Sequence, residues 1–173
     1  MWLTRKILVA TDFAEASRAA ADVGVELART FHVPLVLMHA YVVPSYIYTT
    51  VPFVPFGDYM QVYEDAARES LEKERARLAG KGADVTAVLR AGVAWEDILS
   101  TAQQVDAGLI LVGTHGRRGL PHALLGSVAE KVVRLSPVPV LTIHGVDASN
   151  ASVNVSGKDE GRPKEGPTAA PSA

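Results

Sequence analysis

Five short apolar runs, separated by segments with helical spacing, restrict this chain to a layered α/β architecture. The runs are Lys6–Ala10, Leu35–Ala40, Val85–Leu89, Leu109–Val112 and Pro137–Ile143. After the first, Ala16, Ala19, Ala20, Val23, Leu27 and Phe31 recur at helical intervals, which predicts a helix over Glu15–Phe31 with those side chains inward. Thr11 and Asp12 offer cap side chains for it, and Pro34 stops it by disfavouring a helical residue before the ring. A second helix is predicted over Asp58–Lys81. Met60, Tyr63, Ala67, Leu71 and Leu78 form its inner side, Glu64, Arg68, Glu69, Glu72, Lys73, Arg75 and Arg77 a solvated one, and Gly80 or Gly82 ends it. A third spans Trp95–Gln104. The fourth, Ser127–Leu135, reads as opened by a capping box in which Ser127 answers Glu130.

Strands that alternate with helices are joined by right-handed crossovers into a parallel sheet covered on both faces. The fold class is therefore α/β: a five-stranded parallel, doubly wound sheet in the order 3-2-1-4-5. Such sheets bind ligands beyond the carboxyl ends of their strands, at the point where the winding reverses. In this order that point lies between strands one and four. Asp12 ends the first and Gly113 ends the other, so two signals a hundred residues apart converge on one crevice. The second belongs to a glycine-rich stretch running from Gly113 through Gly116 and Gly119 to Gly126 and Ser127. Glycines allow main-chain N–H groups close to a phosphate, and a helix start adds unpaired donors and the positive end of a dipole. The stretch is an anion site in outline.

Composition excludes several other classes. A net charge of −2 leaves no electrostatic footprint for nucleic acid. The chain has no cysteine, so disulfide frameworks, thiol chemistry and cysteine zinc sites are out. The start of the chain has too short an apolar run for a signal peptide, and no apolar stretch approaches the roughly 20 residues of a membrane helix. The expectation is a cytoplasmic protein. Five histidines (His32, His39, His115, His122 and His144) are scattered without metal-ligand spacing.

The common phosphate and catalytic fingerprints are missing. A P-loop needs Gly-Lys-Ser/Thr, and no lysine stands between Gly126 and Ser127. A Rossmann fingerprint belongs after the first strand, where Ala10, Thr11, Asp12 and Phe13 contain no glycine. A receiver domain needs an aspartate after strand three, where Leu89, Arg90, Ala91 and Gly92 supply none. A hydrolase elbow fails over Leu125–Ala129. Gly113, Gly116 and the pair Gly126–Ser127 instead show glycine, two residues, glycine, nine residues, glycine and serine. This spacing resembles the nucleotide-binding branch of the universal stress protein family. The likeness extends to Lys6–Phe13, to Leu37–Ala40 and to Ser136–Ile143, and covers residues 4 to 144. Departures stand at Ala10 and Ala94, where the family often has proline, and near Gly108, where it has aspartate.

The resemblance implies the adenine nucleotide alpha hydrolase-like arrangement of the sheet, ATP as ligand with Mg²⁺, and a homodimer. It also implies roles for individual residues. Asp12 is expected on the ribose with Thr11 beside it, and Ala40 at the adenine through its backbone. Val112 and Gly113 are expected to flank base and sugar, and Gly116, Arg117, Gly126, Ser127 and Val128 to wrap the phosphates. Asp12 is also the carboxylate nearest any Mg²⁺. No motif residue is an evident general base; His115 is expected to face solvent, and hydrolysis to be slow at most. An apolar fifth strand at a sheet edge, Val138–Ile143, tends to pair with its like, which independently points to the homodimer. An unknown protein partner is expected to read the nucleotide state. The other reading is an interaction module without physiological nucleotide, acting through its dimer surface and the aromatic segment Tyr41–Gly57. That segment is apolar yet interrupted by Pro44, Pro52 and Pro55, and is expected to pack as an insertion. From Gly145 the composition turns polar, and a disordered tail over 145–173 is expected beyond a domain of residues 1–144.

Overall fold

The computed structural model describes residues 4–42, 56–114 and 125–145. Most of the aromatic segment, positions 115–124 of the glycine stretch and nearly all of the polar tail lie outside the described residues. In chain order the elements are β1 (Lys6–Ala10), α1 (Glu15–Phe31), β2 (Leu35–Tyr41), α2 (Phe56–Ala79), β3 (Val85–Ala91), α3 (Ala94–Gln104), β4 (Ala107–Gly113), α4 (Ser127–Leu135) and β5 (Val140–Ile143). The strands form one sheet in the order β3-β2-β1-β4-β5. Every pairing is parallel, as the alternation of strands and helices requires.

The central strands are apolar throughout because helices cover both faces. Ile7, Val9, Leu35, Leu37, Leu109 and Leu111 face one layer, where Ala20, Ala21, Val25, Ala28, Leu71 and Leu78 of α1 and α2 complete the core. Leu8, Val36, Met38, Ile110 and Val112 face the other, with Ile98, Ala102, Ala129 and Val132 of α3 and α4. The alternation along each strand sorts the side chains between two separate cores.

α1 packs closer than its apolar spacing suggested. Its buried residues are small: Ala16, Ser17, Ala20, Ala21, Gly24, Val25 and Ala28. A Cβ on Gly24 would stand 2.7 Å from Val9 Cγ2, so the helix lies directly on the sheet there. Phe31, expected inside, is 37 % exposed, because the bulkier edge of α1 turns away from this close contact. α2 starts at Phe56 and is buried at Leu71, Glu74 and Leu78, while Tyr63, also expected inside, is exposed. Its carboxyl half packs on the sheet. A charge cluster ties that half to α1, with Arg77 bridging Asp22 (2.8 Å) and Glu74, and Lys81 also reaching Asp22 (2.8 Å). Burial alone would raise the Asp22 carboxyl, but hydrogen bonds from Lys81 and Arg77 outweigh it and hold the group below its ordinary value.

β5 is shorter than the run Pro137–Ile143. Pro137 and Pro139 have no N–H to give a ladder; Pro139 contributes only its carbonyl, which accepts the Ile110 N–H at 3.0 Å. α4 also begins differently. Gly126 is its N-cap, no side chain caps it, and the expected reciprocal box between Ser127 and Glu130 is not formed. Ser127 is already the first helical residue. Glu130 pairs with Arg134 one turn along, at 3.0 Å.

Candidate site at the switch point

The register of the sheet assembles the site. Ala10 lies opposite Met38 and Val9 opposite Leu111. Just beyond these last pairs, Thr11 and Asp12 leave β1 where β2 runs out through Ala40 and Tyr41 and β4 through Gly113. Three strand ends form a row, β2, β1 and β4, and α1 and α4 start from it.

The turn after β1 is a closed hydrogen-bond circuit. The Thr11 N–H donates to the Met38 carbonyl at 2.8 Å, the last backbone bond before the strands part. Ser17 donates its hydroxyl proton to the Ala14 carbonyl at 3.0 Å, so at 3.2 Å it accepts from Thr11 Oγ1. Thr11 Oγ1 in turn accepts the Phe13 N–H at 3.0 Å, and Asp12 Oδ1 accepts the Ala14 N–H at 3.1 Å. The structure thus places Thr11 as a buried brace, its hydroxyl turned into the turn. Asp12 is half-buried and lies at the crevice. Phe13 has φ 66°, a left-handed backbone that costs a bulky L-residue about 1 kcal/mol or more.

On the β4 side, Val112 is buried against the α3–α4 layer. Gly113 pairs with Ile143. A Cβ here would come within 2.7 Å of the Ala16 carbonyl carbon and the Ser17 nitrogen, so α1 occupies the space of a side chain. This glycine has a packing reason independent of any ligand. Thr114 is fully buried, and its N–H donates to the Ile143 carbonyl at 2.8 Å. Its own carbonyl accepts the Gly126 N–H at 2.6 Å. That bond pinches together the two ends of the intervening glycine stretch and sets the start of α4 beside the carboxyl end of β4.

At α4 the Ser127 side chain is exposed, and Val128 packs inward against Val112 and its neighbours. Ala40 is half-buried at the end of β2 and faces the same layer. Next to it, the Tyr41 hydroxyl donates to Glu64 Oε2 of α2 at 3.4 Å; burial and then the negative charge of Glu64 raise the phenol above its ordinary value. Of the ten residues expected at the site, Thr11, Asp12, Ala40, Val112, Gly113, Gly126, Ser127 and Val128 gather at this row of strand ends. Gly116 and Arg117 lie outside the described residues.

Sequence reasoning passed over Ser17, Thr114, His39 and His144, all of which bond within the turns of the site. Thr114 stood inside the glycine motif but carries no spacing signal of its own. The histidines were legible only as strand-end positions. Among the described residues, no group of three or more His, Cys, Asp and Glu is placed to hold a metal ion. No described helix is long and apolar enough to cross a membrane.

Comparison with known proteins agrees with this fold. Residues 4–144 match the universal stress protein family. A similar curated relative, universal stress protein YxiE of Bacillus subtilis, is 32 % identical over 144 residues, which span 80 % of this chain and 97 % of that protein. Among solved structures, protein MJ0577 of Methanocaldococcus jannaschii superposes with a TM-score of 0.73 at 25 % identity, covering 84 % of this chain and 99 % of its own. A universal stress protein solved in complex with cAMP has a TM-score of 0.60 at 25 % identity, covering 82 % of this chain and 98 % of that one. The sheet order, the crevice between β1 and β4, and a match over nearly the whole described fold lead to one conclusion: the chain belongs to the universal stress protein family.

Proposed function

We propose that this protein binds ATP with Mg²⁺ at the β1–β4 crevice, and that the bound nucleotide regulates its interaction with a partner protein in a stress response. The observation that carries this reading is the 2.6 Å bond from the Gly126 N–H to the Thr114 carbonyl. It holds the start of α4, which no side chain caps, next to the turn that presents Asp12. A helix start with open N–H groups favours phosphate, and a nearby carboxylate suits ribose hydroxyls. Asp12 takes the ribose in this reading, Ala40 and Val112 border the adenine, and Ser127 and Val128 donate N–H groups to phosphate together with Gly116 and Arg117, while Gly126, its own N–H held by Thr114, leaves the phosphates room to approach. Gly113 contributes backbone only. The family member solved with cAMP supports an adenine nucleotide as ligand class. Mg²⁺ would be held mainly by the nucleotide, with Asp12 as the nearest protein carboxylate, since magnesium commonly takes few protein ligands and keeps several waters.

The reading is of nucleotide held more than consumed. Thr11, Ser17 and Thr114 have their hydroxyls engaged in turn hydrogen bonds, an arrangement suited to a stable pocket. Protein denatured straight after purification should release ATP identifiable by mass spectrometry. ATP·Mg²⁺ added to stripped protein at 100 times its Kd should stabilise the fold by about 2.7 kcal/mol. Neither released nucleotide nor a thermal shift would leave the interaction-module reading in its place.

The same proposal includes a homodimer through β5. Among the described residues this strand is hydrogen-bonded on one side only, at the edge of the sheet. Leu141 on it, with Val133 and Leu135 on α4, are exposed apolar side chains. An open apolar edge favours pairing with a second copy. Light scattering at micromolar concentration should return twice the chain mass; a monomer would remove the dimer from the proposal.

A further inference from the structure

Two histidines occupy equivalent places on either side of the crevice. His39 lies near the carboxyl end of β2, and its Nδ1 is 2.7 Å from the Thr11 carbonyl oxygen. His144 follows β5, and its Nδ1 is 2.8 Å from Thr114 Oγ1. In the sheet order, β2 is the outer neighbour of β1 and β5 the outer neighbour of β4. Each histidine thus reaches one strand inward and holds the residue just beyond the end of a crevice strand.

The residues they hold are the ones that aim the site. Thr11 immediately precedes Asp12 and braces the turn through Phe13 and Ser17. That turn contains Phe13 in the left-handed region, a conformation that persists only when its surroundings impose it. The His39 ring supplies two such restraints. It donates to the Thr11 carbonyl, because a carbonyl can only accept, and it packs on the Phe13 ring with centroids 4.5 Å apart. On the other side Thr114 is fully buried, and its carbonyl receives the Gly126 N–H that locates α4. Fixing Thr114 through its hydroxyl fixes the acceptor on which the start of α4 depends.

We propose that His39 and His144 are positioning residues that clamp β1 and β4 from outside, so that Asp12 and the start of α4 face each other at the separation a nucleotide requires. The proposal rests on the nucleotide reading for its purpose, but the clamp itself consists of hydrogen bonds within the protein. In this proposal each imidazole acts through the residue it holds. The His39 bond is indifferent to ring charge, since Nδ1 carries its proton in both states.

The test compares His39→Ala and His144→Ala with His39→Asn and His144→Asn. Asparagine places its amide group where Nδ1 stood, so it keeps the hydrogen bond and removes the rest of the ring. Three quantities are measured on the full chain: ATP affinity by calorimetry, the melting midpoint, and hydrogen exchange at the Phe13, Ala14 and Gly126 amides without ligand. Each alanine variant should weaken ATP about tenfold, the size of one hydrogen bond's worth of organisation, and the pair about a hundredfold if the two sides act independently. Exchange should quicken at Phe13 and Ala14 for His39→Ala and at Gly126 for His144→Ala, with asparagine restoring most of both. Unchanged affinity and exchange in the alanine variants would overturn the clamp. So would a loss that asparagine does not rescue, which would make the histidines general fold anchors. If the parent protein binds no adenine nucleotide, the functional reading fails by itself, and the exchange pattern still decides the clamp.

Discussion

Gly113→Val will destabilise the protein by about 3 kcal/mol, near the upper range for forcing a side chain into filled space. For a chain of this size that corresponds to a fall in melting midpoint of roughly 10 °C. The reason lies in what the side chain meets. The Cβ position is 2.7 Å from main-chain atoms of Ala16 and Ser17, and main chain, unlike the end of a flexible side chain, cannot step aside locally. α1 would have to lift from the end of β4. Ser17 would move with it, and Ser17 anchors the Thr11 hydroxyl that shapes the Asp12 turn. Nucleotide binding should therefore fall together with stability. Gly80→Ala is the control: its Cβ meets the Ala76 carbonyl oxygen at 3.4 Å, an ordinary contact, and the exchange should be neutral or slightly stabilising. Thermal melts of the two variants side by side decide the matter. Equal midpoints would mean that α1 is not seated on β4 as described.

Gly126→Val should do the opposite, leaving the fold standing while ATP affinity drops about a hundredfold, or about 2.7 kcal/mol. Gly126 has φ −70° and ψ 156°, ordinary extended backbone that any residue adopts. The substitution therefore brings no backbone strain, only the loss of a favourable N-cap residue worth up to about 1 kcal/mol. What it adds is a branched side chain next to the N–H groups of Ser127 and Val128, where the phosphate chain is proposed to lie. Calorimetry with ATP, and circular dichroism to check the fold, read the two effects separately. Undiminished affinity in a folded variant would show that phosphate does not approach α4 by this route. Together the two glycines form a contrast: one serves packing, the other is proposed to serve ligand access, and sequence spacing counts them alike.

The architecture was legible because it depends on period and order, which a sequence displays directly. Apolar runs such as Ile7–Val9 and Leu109–Val112 are buried on both faces, and the handedness of crossovers leaves few sheet orders for strands joined by helices. The inner face of α1 was read less well. Periodicity marks apolar residues but not how near a helix lies to the sheet, and close approach selects Ala20, Gly24 and Ala28 over the larger Phe31. Tyr63 was misplaced for a related reason, since the amino half of α2 extends past the sheet and leaves Val62 as well as Tyr63 exposed. The capping pattern at α4 satisfied the usual residue types but sat one position late. Gly126, held by Thr114, takes the N-cap and leaves the Ser127 hydroxyl on the surface.

By itself the sequence determined the parallel α/β fold, the convergence of Asp12 with the glycine stretch, and the likeness of that stretch to a nucleotide-binding family. These follow from local periodicity and from residue types at fixed spacing. Only the tertiary structure decided how the crevice is held: the closed circuit from Thr11 through Ser17, the pinch between Thr114 and Gly126, and the two histidines reaching inward from neighbouring strands. The circuit closes within one turn and the pinch joins the end of β4 to the start of α4, whereas the histidine bonds join residues whose nearness is created by the pairing of strands. No spacing rule encodes them, because His39 lies 28 residues from Thr11, and His144 lies 30 from Thr114. What brings them within hydrogen-bond distance is the register of the sheet.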